Sequence, residues 1–164
     1  MAEVHPHSNR DASSVRTAAR AVIVRDGKLL AVRIHSELGE FMVLPGGGQN
    51  HGETLHQAVV REVMEELGLK IQVRDVAYIR EYVGKNHAMH RIHGHFHQVE
   101  VVFHCDCSDF SSIGEGKEVD RRQVGFTWLP IDRLADYPLS PPGLSAVLQA
   151  EQGSGSTRYL GDIH

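Results

Sequence analysis

Glu62, Glu65 and Glu66 stand at positions i, i+3 and i+4 of a stretch, Thr54 to Leu67, that contains neither glycine nor proline. At about 100° per residue of helix, the three carboxylates share an arc of roughly 100°. Val59, Val60, Val63, Met64 and Leu67 fill the neighbouring arc. One face can therefore pack on a sheet while the adjoining face presents three acids within one turn. Like charges at these spacings weaken a bare helix, and Arg61 relieves only part of the repulsion. A hard divalent cation held by carboxylate oxygens would relieve it directly, and such ions keep waters and phosphate oxygens in their shell. Gly46, Gly47 and Gly48 precede the helix and let backbone approach closely, exposing carbonyls and N–H groups. A carbonyl from this loop offers a further hard ligand, and the nearby helix N-terminus favours anions. An acidic helix face alone is more often simply solvated; its fixed spacing from the glycines points instead to a divalent-metal site built for phosphate substrates.

The elements that must position these residues follow from the rest of the chain. The 164 residues amount to one domain, and 41% hydrophobic with 23% charged content is that of a globular protein rather than a disordered or collagen-like one. The net charge of −4 speaks against a protein that coats nucleic acid, and no apolar run reaches the length of a membrane span. Cys105 and Cys107 are two apart in a strand-like run. Extended chain separates them by roughly 6.6 Å, a poor disulfide geometry, so both are expected as free thiols in a reducing compartment, the cytoplasm. Met1 to Ser14 reads as a flexible arm, residues 15–150 as the folded body, and Glu151 to His164 as a soft tail.

Within the body, Arg20–Arg25 and Lys28–Ile34 are β-rich and flank Asp26-Gly27, a strong hairpin signal. Phe41–Leu44 is a short apolar run; Ile71–Val83, His95–Cys107 and Gln123–Leu129 read as strands. Gly68 closes the acidic helix, Pro130–Ala135 reads as a turn or two of helix, and the segment after Pro141-Pro142 as a last helix. Mixed strands and helices in this order point to an α/β or α+β sandwich.

Gly47, five residues, Glu53, seven residues, then Arg61-Glu62-Val63-Met64-Glu65-Glu66-Leu67-Gly68-Leu69 resembles the Nudix box, GX5EX7REUXEEXGU with U a bulky aliphatic, at every specified position. The hairpin before it and the segment FTWLPIDRLADYPL after it also look like the Nudix (MutT-like) hydrolase family, extending the resemblance over about residues 15–150. The resemblance implies the Nudix fold, an α/β/α sandwich around a mixed sheet. It also implies Mg²⁺- or Mn²⁺-dependent hydrolysis of a nucleoside diphosphate linked to another group X, releasing a nucleoside monophosphate. By position in the box, Glu62, Glu65 and Glu66 would be metal ligands with the Gly46 carbonyl, and Glu62 or a later loop glutamate would activate water. Glu53 and Arg61 would orient them. Gly47 and Gly48 would lie against the substrate, which is a small nucleotide rather than a polymer. A homodimer is common among such proteins. The alternative within the same fold is a module that binds a nucleotide without cleaving it; such modules have usually lost a box glutamate or the arginine, and here all are present.

Other residues carry weaker signals. Glu115 and Glu118, in the polar loop 113–122, are options for a further carboxylate, as is an ordinary exposed loop. Arg33, on a strand before the glycines, is a candidate phosphate contact. Six of the 12 histidines lie between His87 and His104. On a strand, His93, His95 and His97 would share one face, open to three readings: a polar sheet face or loop, a lining of the nucleotide pocket, or a zinc or copper site. His51, His90 and Arg91 are further candidates to approach a substrate. Phe41, Tyr82, Phe96 and Trp128 are the aromatics that could stack on a base, Trp128 being expected instead in the core near the last helix. ADP-ribose hydrolases of the family often carry a proline about fifteen residues beyond the box, and this region, Val83 to Asn86, has none. Diadenosine-polyphosphate hydrolases often carry a tyrosine slightly further on, and Tyr82 falls early. Oxidised nucleoside triphosphates, nucleotide sugars and CDP-alcohols all remain open as substrates.

Overall fold

The computed structural model describes residues 14–87, 91, 94–114, 116–117, 121–150 and 158–163. The chain begins with β1 (Arg16–Val22), β2 (Val24–Arg25) and β3 (Lys28–Ser36). The turn between β2 and β3 is the expected Asp26-Gly27 pair, both at positive φ (50° and 71°), the conformation a two-residue hairpin requires. There follow β4 (Gly39–Val43), β5 (Gly46–Gly48) and helix α1 (Leu55–Leu67). Then come β6 (Gln72–Val83), a 3₁₀ turn (Gly84–Asn86), β7 (His97–Asp106) and β8 (Gln123–Pro130). A 3₁₀ segment (Ile131–Asp136), helix α2 (Leu144–Ala150) and β9 (Arg158–Asp162) complete it.

The strands form two sheets. The first has the order β5-β1-β7-β6-β9 and is mixed: β1 runs parallel to β7, and β6 parallel to β9, while the other pairs are antiparallel. In the second, β3 carries β8 along one edge and β2 then β4 along the other, all antiparallel. One core cluster joins α1, through Val59, Val63 and Leu67, to Ala19 and Ala21 of β1 and to Leu30 and Val32 of β3. The second cluster joins α2, through Leu144 and Leu148, to Tyr78, Val102 and Leu129. Helices thus lie against opposite sides of the strands, and the α/β class expected from the residues holds. No helix among the described residues is long and apolar enough to cross a membrane.

Several expectations change. The apolar arc of α1 is narrower than read: Val60 and Met64 stay 38% and 36% exposed. The glycine run is a short edge strand paired with β1 rather than a loop. Residues 151–164 are not all tail, because Arg158–Asp162 adds a strand to the edge of β6; the polar composition hid it, since a short edge strand needs few apolar residues. The proposed arm up to residue 13 lies outside the described residues. His95 sits in a turn before β7 begins at His97, so the alternating histidines do not share a strand face, and His93 lies outside the described residues. Trp128 packs on the α1 side of the core, edge-on to Phe110 at 5.3 Å, not beside the last helix. Both cysteines are free, and burial pushes the Cys105 thiol up to about 12.

Glu100 of β7 is 2% exposed and takes Arg20 Nε of β1 on one carboxylate oxygen and Arg80 Nε of β6 on the other. Burial alone would push its carboxyl up, but the two guanidinium groups outweigh burial and hold it below the ordinary carboxylate value. Removing the acid would leave two arginines facing each other across the sheet. We therefore expect Glu100→Ala to cost roughly 3–5 kcal/mol in urea unfolding, the usual price of stripping one partner from a buried ion pair; a loss below about 1 kcal/mol, the range of exposed pairs, would show the triad to be effectively solvated.

Candidate active site

α1 starts with Thr54, whose hydroxyl accepts from the Gln57 N–H while the Gln57 side chain accepts from the Thr54 N–H. This reciprocal cap satisfies two of the helix's unpaired donors. At the other end Gly68 is left-handed, and its N–H donates to the Met64 carbonyl at 2.9 Å. The helix is therefore defined at both ends, and its acidic turn is held at a set height above β5.

Arg61 organises that turn. Its Nε and Nη2 donate to the two oxygens of Glu53, at 3.1 and 2.7 Å. Nη2 also donates to the Gly48 carbonyl at 2.9 Å. Nη1 donates to Glu62 Oε1 and Glu65 Oε2, each at 3.0 Å. One planar cation thus collects three carboxylates and a carbonyl, tying the segment before the helix, the helix and the glycine strand together. Hydrogen bonding from Arg61, followed by that from the Asn50 N–H, pulls the Glu53 carboxyl down to about 2. The Glu53 bond in turn raises the Arg61 guanidinium above its ordinary value, against a smaller opposing effect of burial.

The glycines are required by close approach. A Cβ on Gly47 would sit 2.6–2.8 Å from the carboxylate atoms of Glu62, so that acid lies directly against bare backbone. Gly46 has φ 130°, and a Cβ there would come within 2.3 Å of the Ala19 carbonyl oxygen of β1. Its N–H donates to Glu66 Oε2 at 2.9 Å, and its carbonyl accepts from Arg20 Nη1 at 3.0 Å. Arg20 is the same residue that engages Glu100, so the buried triad reaches the glycine strand. The structure brings Gly46, Gly47, Gly48, Glu53, Arg61, Glu62, Glu65 and Glu66 together.

Other candidates fall elsewhere. Arg33 makes a two-pronged pair with Glu40 at 2.7 and 3.0 Å on the exposed side of β3 and β4. Glu115, Glu118 and His90 lie outside the described residues, but described neighbours of the two glutamates contact α1. Gly114 N–H donates to the Leu67 carbonyl at 2.9 Å, Ser112 Oγ to the Gly68 carbonyl at 2.8 Å, and Gln123 Nε2 to the Glu66 carbonyl at 3.1 Å. A Cβ on Gly116 would meet the Glu66 carbonyl at 2.4 Å. Ser112, Gly114, Gly116 and Gln123 therefore press on the last turn of α1. His51 is exposed in the turn before the helix, and a hollow of about 600 Å³ lined by Arg25, Cys107, Asp109 and Phe110 contains none of the box carboxylates.

Three site neighbours were invisible as motifs: Arg16, whose guanidinium fills the space a Gly48 side chain would take; Gln123; and Arg20. Only Arg20, a cation inside an otherwise apolar strand run, left any signal. Among the described residues no three His, Cys, Asp or Glu side chains stand ready-converged on a single point; Arg61 bonds both Glu62 and Glu65.

Comparison with known proteins agrees with this geometry. The NUDIX domain family matches residues 15–149; the chain belongs to the Nudix family. It is 36% identical over 64 residues to the nucleoside triphosphatase NudI of Enterobacter sp. (strain 638), a match covering 37% of this chain and 45% of that relative's length. Among solved structures it is similar to a MutT NUDIX hydrolase from Burkholderia pseudomallei. That likeness has 27% identity and a TM-score of 0.64, and covers 83% of this chain and 98% of the other. An ADP-ribose pyrophosphatase from Streptococcus suis shares the fold at 22% identity and a TM-score of 0.64, with 89% and 99% of the two chains covered.

The Glu53–Arg61 lock carries a pH signature. The Glu53 carboxyl is lowered from an ordinary 4.5 to about 2 in the folded chain. Its contribution is therefore complete above 4.5 and fades as pH falls from there toward 2. Urea unfolding of the wild type and of Glu53→Gln should differ at neutral pH and converge on acidification through that window. A gap that stays constant would mean that Glu53 titrates normally.

Proposed function

We propose that the chain is a divalent-metal-dependent hydrolase that cleaves a phosphoanhydride bond in a nucleoside diphosphate linked to another group, releasing a nucleoside monophosphate. The observation that carries this reading is the single guanidinium of Arg61 holding Glu53, Glu62, Glu65 and the Gly48 carbonyl at 2.7–3.1 Å. It gathers the acids of one helical turn against bare backbone, where a salt bridge alone would need only one of them.

The donor set fits a hard cation. Glu62, Glu65 and Glu66 offer carboxylate oxygens, and the Gly46 carbonyl offers a backbone oxygen. These residues would hold Mg²⁺ or Mn²⁺, which would supply charge neutralisation on the phosphate oxygens and a more acidic water. The protein's own part is positional. Gly47, without a side chain, leaves room for the Glu62 carboxylate. Glu62 or a later loop glutamate would accept the proton of the attacking water. The N–H of Gly46 keeps one Glu66 oxygen oriented. Side-chain exposure of 18% for Glu62 and 28% for Glu65 leaves both within reach of solvent and a ligand. The names of the relatives, a nucleoside triphosphatase and an ADP-ribose pyrophosphatase, share a phosphoanhydride next to a nucleoside and support this substrate class. A cytoplasmic setting follows from the same reading, since nucleotides and reduced thiols occur there together.

The test is a panel of nucleoside triphosphates, nucleotide sugars, ADP-ribose and CDP-alcohols, with both products identified. Turnover should need Mg²⁺ or Mn²⁺, stop with chelator and return on re-addition. Changing Glu65 and Glu66 together to Gln should lower kcat on the order of a hundredfold or more. Turnover that survives both changes across the panel would discredit the assignment, and nucleotide binding without turnover would favour the sensing module.

A further inference from the structure

We propose that Arg20 is a positioning residue: anchored by Glu100, it fixes the Gly46 carbonyl that would ligate the divalent cation, so that metal affinity depends on a line of side chains on the sheet face turned away from α1. This deepens the phosphoanhydride reading and rests on its cation site.

Gly46 lies in β5, which ends the mixed sheet with β1 as its neighbour. In an antiparallel pair, bonded and non-bonded positions alternate. The Ala21 N–H donates to the Pro45 carbonyl at 2.9 Å, and the Gln49 N–H to the Thr17 carbonyl at 3.0 Å. Ala19 and Gly47, midway between, continue that bonded series, so Gly46 and Gly48 turn their N–H and C=O groups outward from β1. Side chains from both faces meet this edge. From α1, Glu66 Oε2 accepts from the Gly46 N–H and Arg61 Nη2 donates to the Gly48 carbonyl, each at 2.9 Å. Arg20 comes from the other side. Ala19 and Ala21 pack in the core cluster under α1, so Arg20 between them leaves β1 on the opposite face. Its Nη1 nonetheless donates to the carbonyls of Leu44 and Gly46, at 2.7 and 3.0 Å. A carbonyl oxygen has two lone pairs. Arg20 takes one on Gly46 and leaves the other for a cation shared with the helix carboxylates.

Arg20 is itself held. Its Nε meets one Glu100 oxygen, and Arg80 Nε meets the other. Gln98 Nε2 adds a bond to Glu100 Oε1 at 3.4 Å, and Arg80 Nη1 donates to the Ile163 carbonyl at 3.4 Å. Beside that far end, Asp162 pins β9 to the turn after β6, accepting from the Val83 N–H at 3.0 Å and from Asn86 Nδ2 at 2.8 Å. The line thus crosses the sheet from the chain beyond β9, through β6, β7 and β1, to β5. The Glu100 and Arg80 side chains are 3% and 12% exposed, and that of Arg20 is 22% exposed. The anchoring end is shielded from water while the end at Gly46 stays within reach of a ligand. The buried carboxylate also offsets the charge that Arg20 carries to the edge, where a bare guanidinium would repel a cation. Hydrogen-bond partners of a ligating group commonly set metal affinity by about ten- to a hundredfold. Competition is the opposite reading of the same contact, with the guanidinium occupying the oxygen in the cation's place, and it predicts a change of opposite sign.

The test reads metal binding without nucleotide. Mn²⁺ titration of the full chain, followed by the EPR signal of the free ion, gives a wild-type Kd, and changing Glu65 and Glu66 together to Gln should abolish that binding. Arg20→Lys keeps the positive charge and a bond to Glu100, but an ammonium lacks the fork to bridge the two carbonyls as well. Its Kd should rise about tenfold, and the Mn²⁺ concentration for half-maximal turnover should rise by the same factor. A role in stability alone would lower the unfolding midpoint and leave the Kd of the folded chain in place. If Arg20→Lys fails to fold, Arg80→Lys, one partner further along the line, takes its place, with a smaller rise of about threefold. A Kd within about twofold of wild type, a tighter Kd as competition requires, Mn²⁺ binding that outlasts the Glu65 and Glu66 changes, or no Mn²⁺ binding by the wild type would overturn the inference. Turnover that needs Mn²⁺ alongside an unmoved Kd would overturn it and leave the phosphoanhydride reading standing. An Arg20-dependent Kd in a chain that turns over nothing would instead overturn that reading and leave this one standing.

Discussion

A single guanidinium, that of Arg61, is the interaction on which the site's geometry depends. Three carboxylates in one helical turn repel, and a glycine strand has no side chains with which to hold itself against a helix. Arg61 answers both problems, because its planar fork can donate in several directions at once. It takes Glu53 with two bonds, shares a third nitrogen between Glu62 and Glu65, and reaches the Gly48 carbonyl. A lysine, with a point charge and no fork, could not reproduce that set. The arrangement stabilises the protein and at the same time keeps the acids clustered, a state that a surface helix would otherwise avoid.

A second ionic centre backs the first. Glu100 sits between Arg20 and Arg80 on the opposite face of the mixed sheet, and Arg20 also donates to the carbonyls of Leu44 and Gly46 at 2.7 and 3.0 Å. The backbone entering the glycine strand is thereby fixed from the sheet side, while Glu66 and Arg61 fix it from the helix side. Desolvating three charges is costly, and such clusters persist where their hydrogen bonds are complete. Here that completeness sets the position of Gly46, whose carbonyl is one of the oxygens proposed for the cation.

The legible and the hidden parts of the molecule divide along a physical line. The helix, its Gly68 stop, the Asp26-Gly27 turn and the acidic face were readable because each depends on neighbours within a few residues. Strand β9 was not: Arg158–Asp162 has no apolar alternation and pairs because β6 offers a free edge. Of the readings of the histidine alternation, the shared strand face fails for the converse reason. A period of two is meaningful only on a strand, and His95 lies in the turn before one. Trp128 lies on the α1 side and not beside the last helix because its position follows from pairing with Leu30 across the second sheet.

Local residue chemistry was enough to establish an α/β chain carrying a Nudix box, down to which acids share a face, since helix periodicity and spacing are properties of the chain itself. Long-range contacts settled the rest: that Arg20, eighty residues from Glu100, supports the glycine strand, that Arg16 fills the gap beside Gly48, and that a carboxylate near the C-terminus braces the turn after β6. No local rule encodes those contacts. They come into being only when strands distant in sequence lie about 5 Å apart and their side chains must share one face.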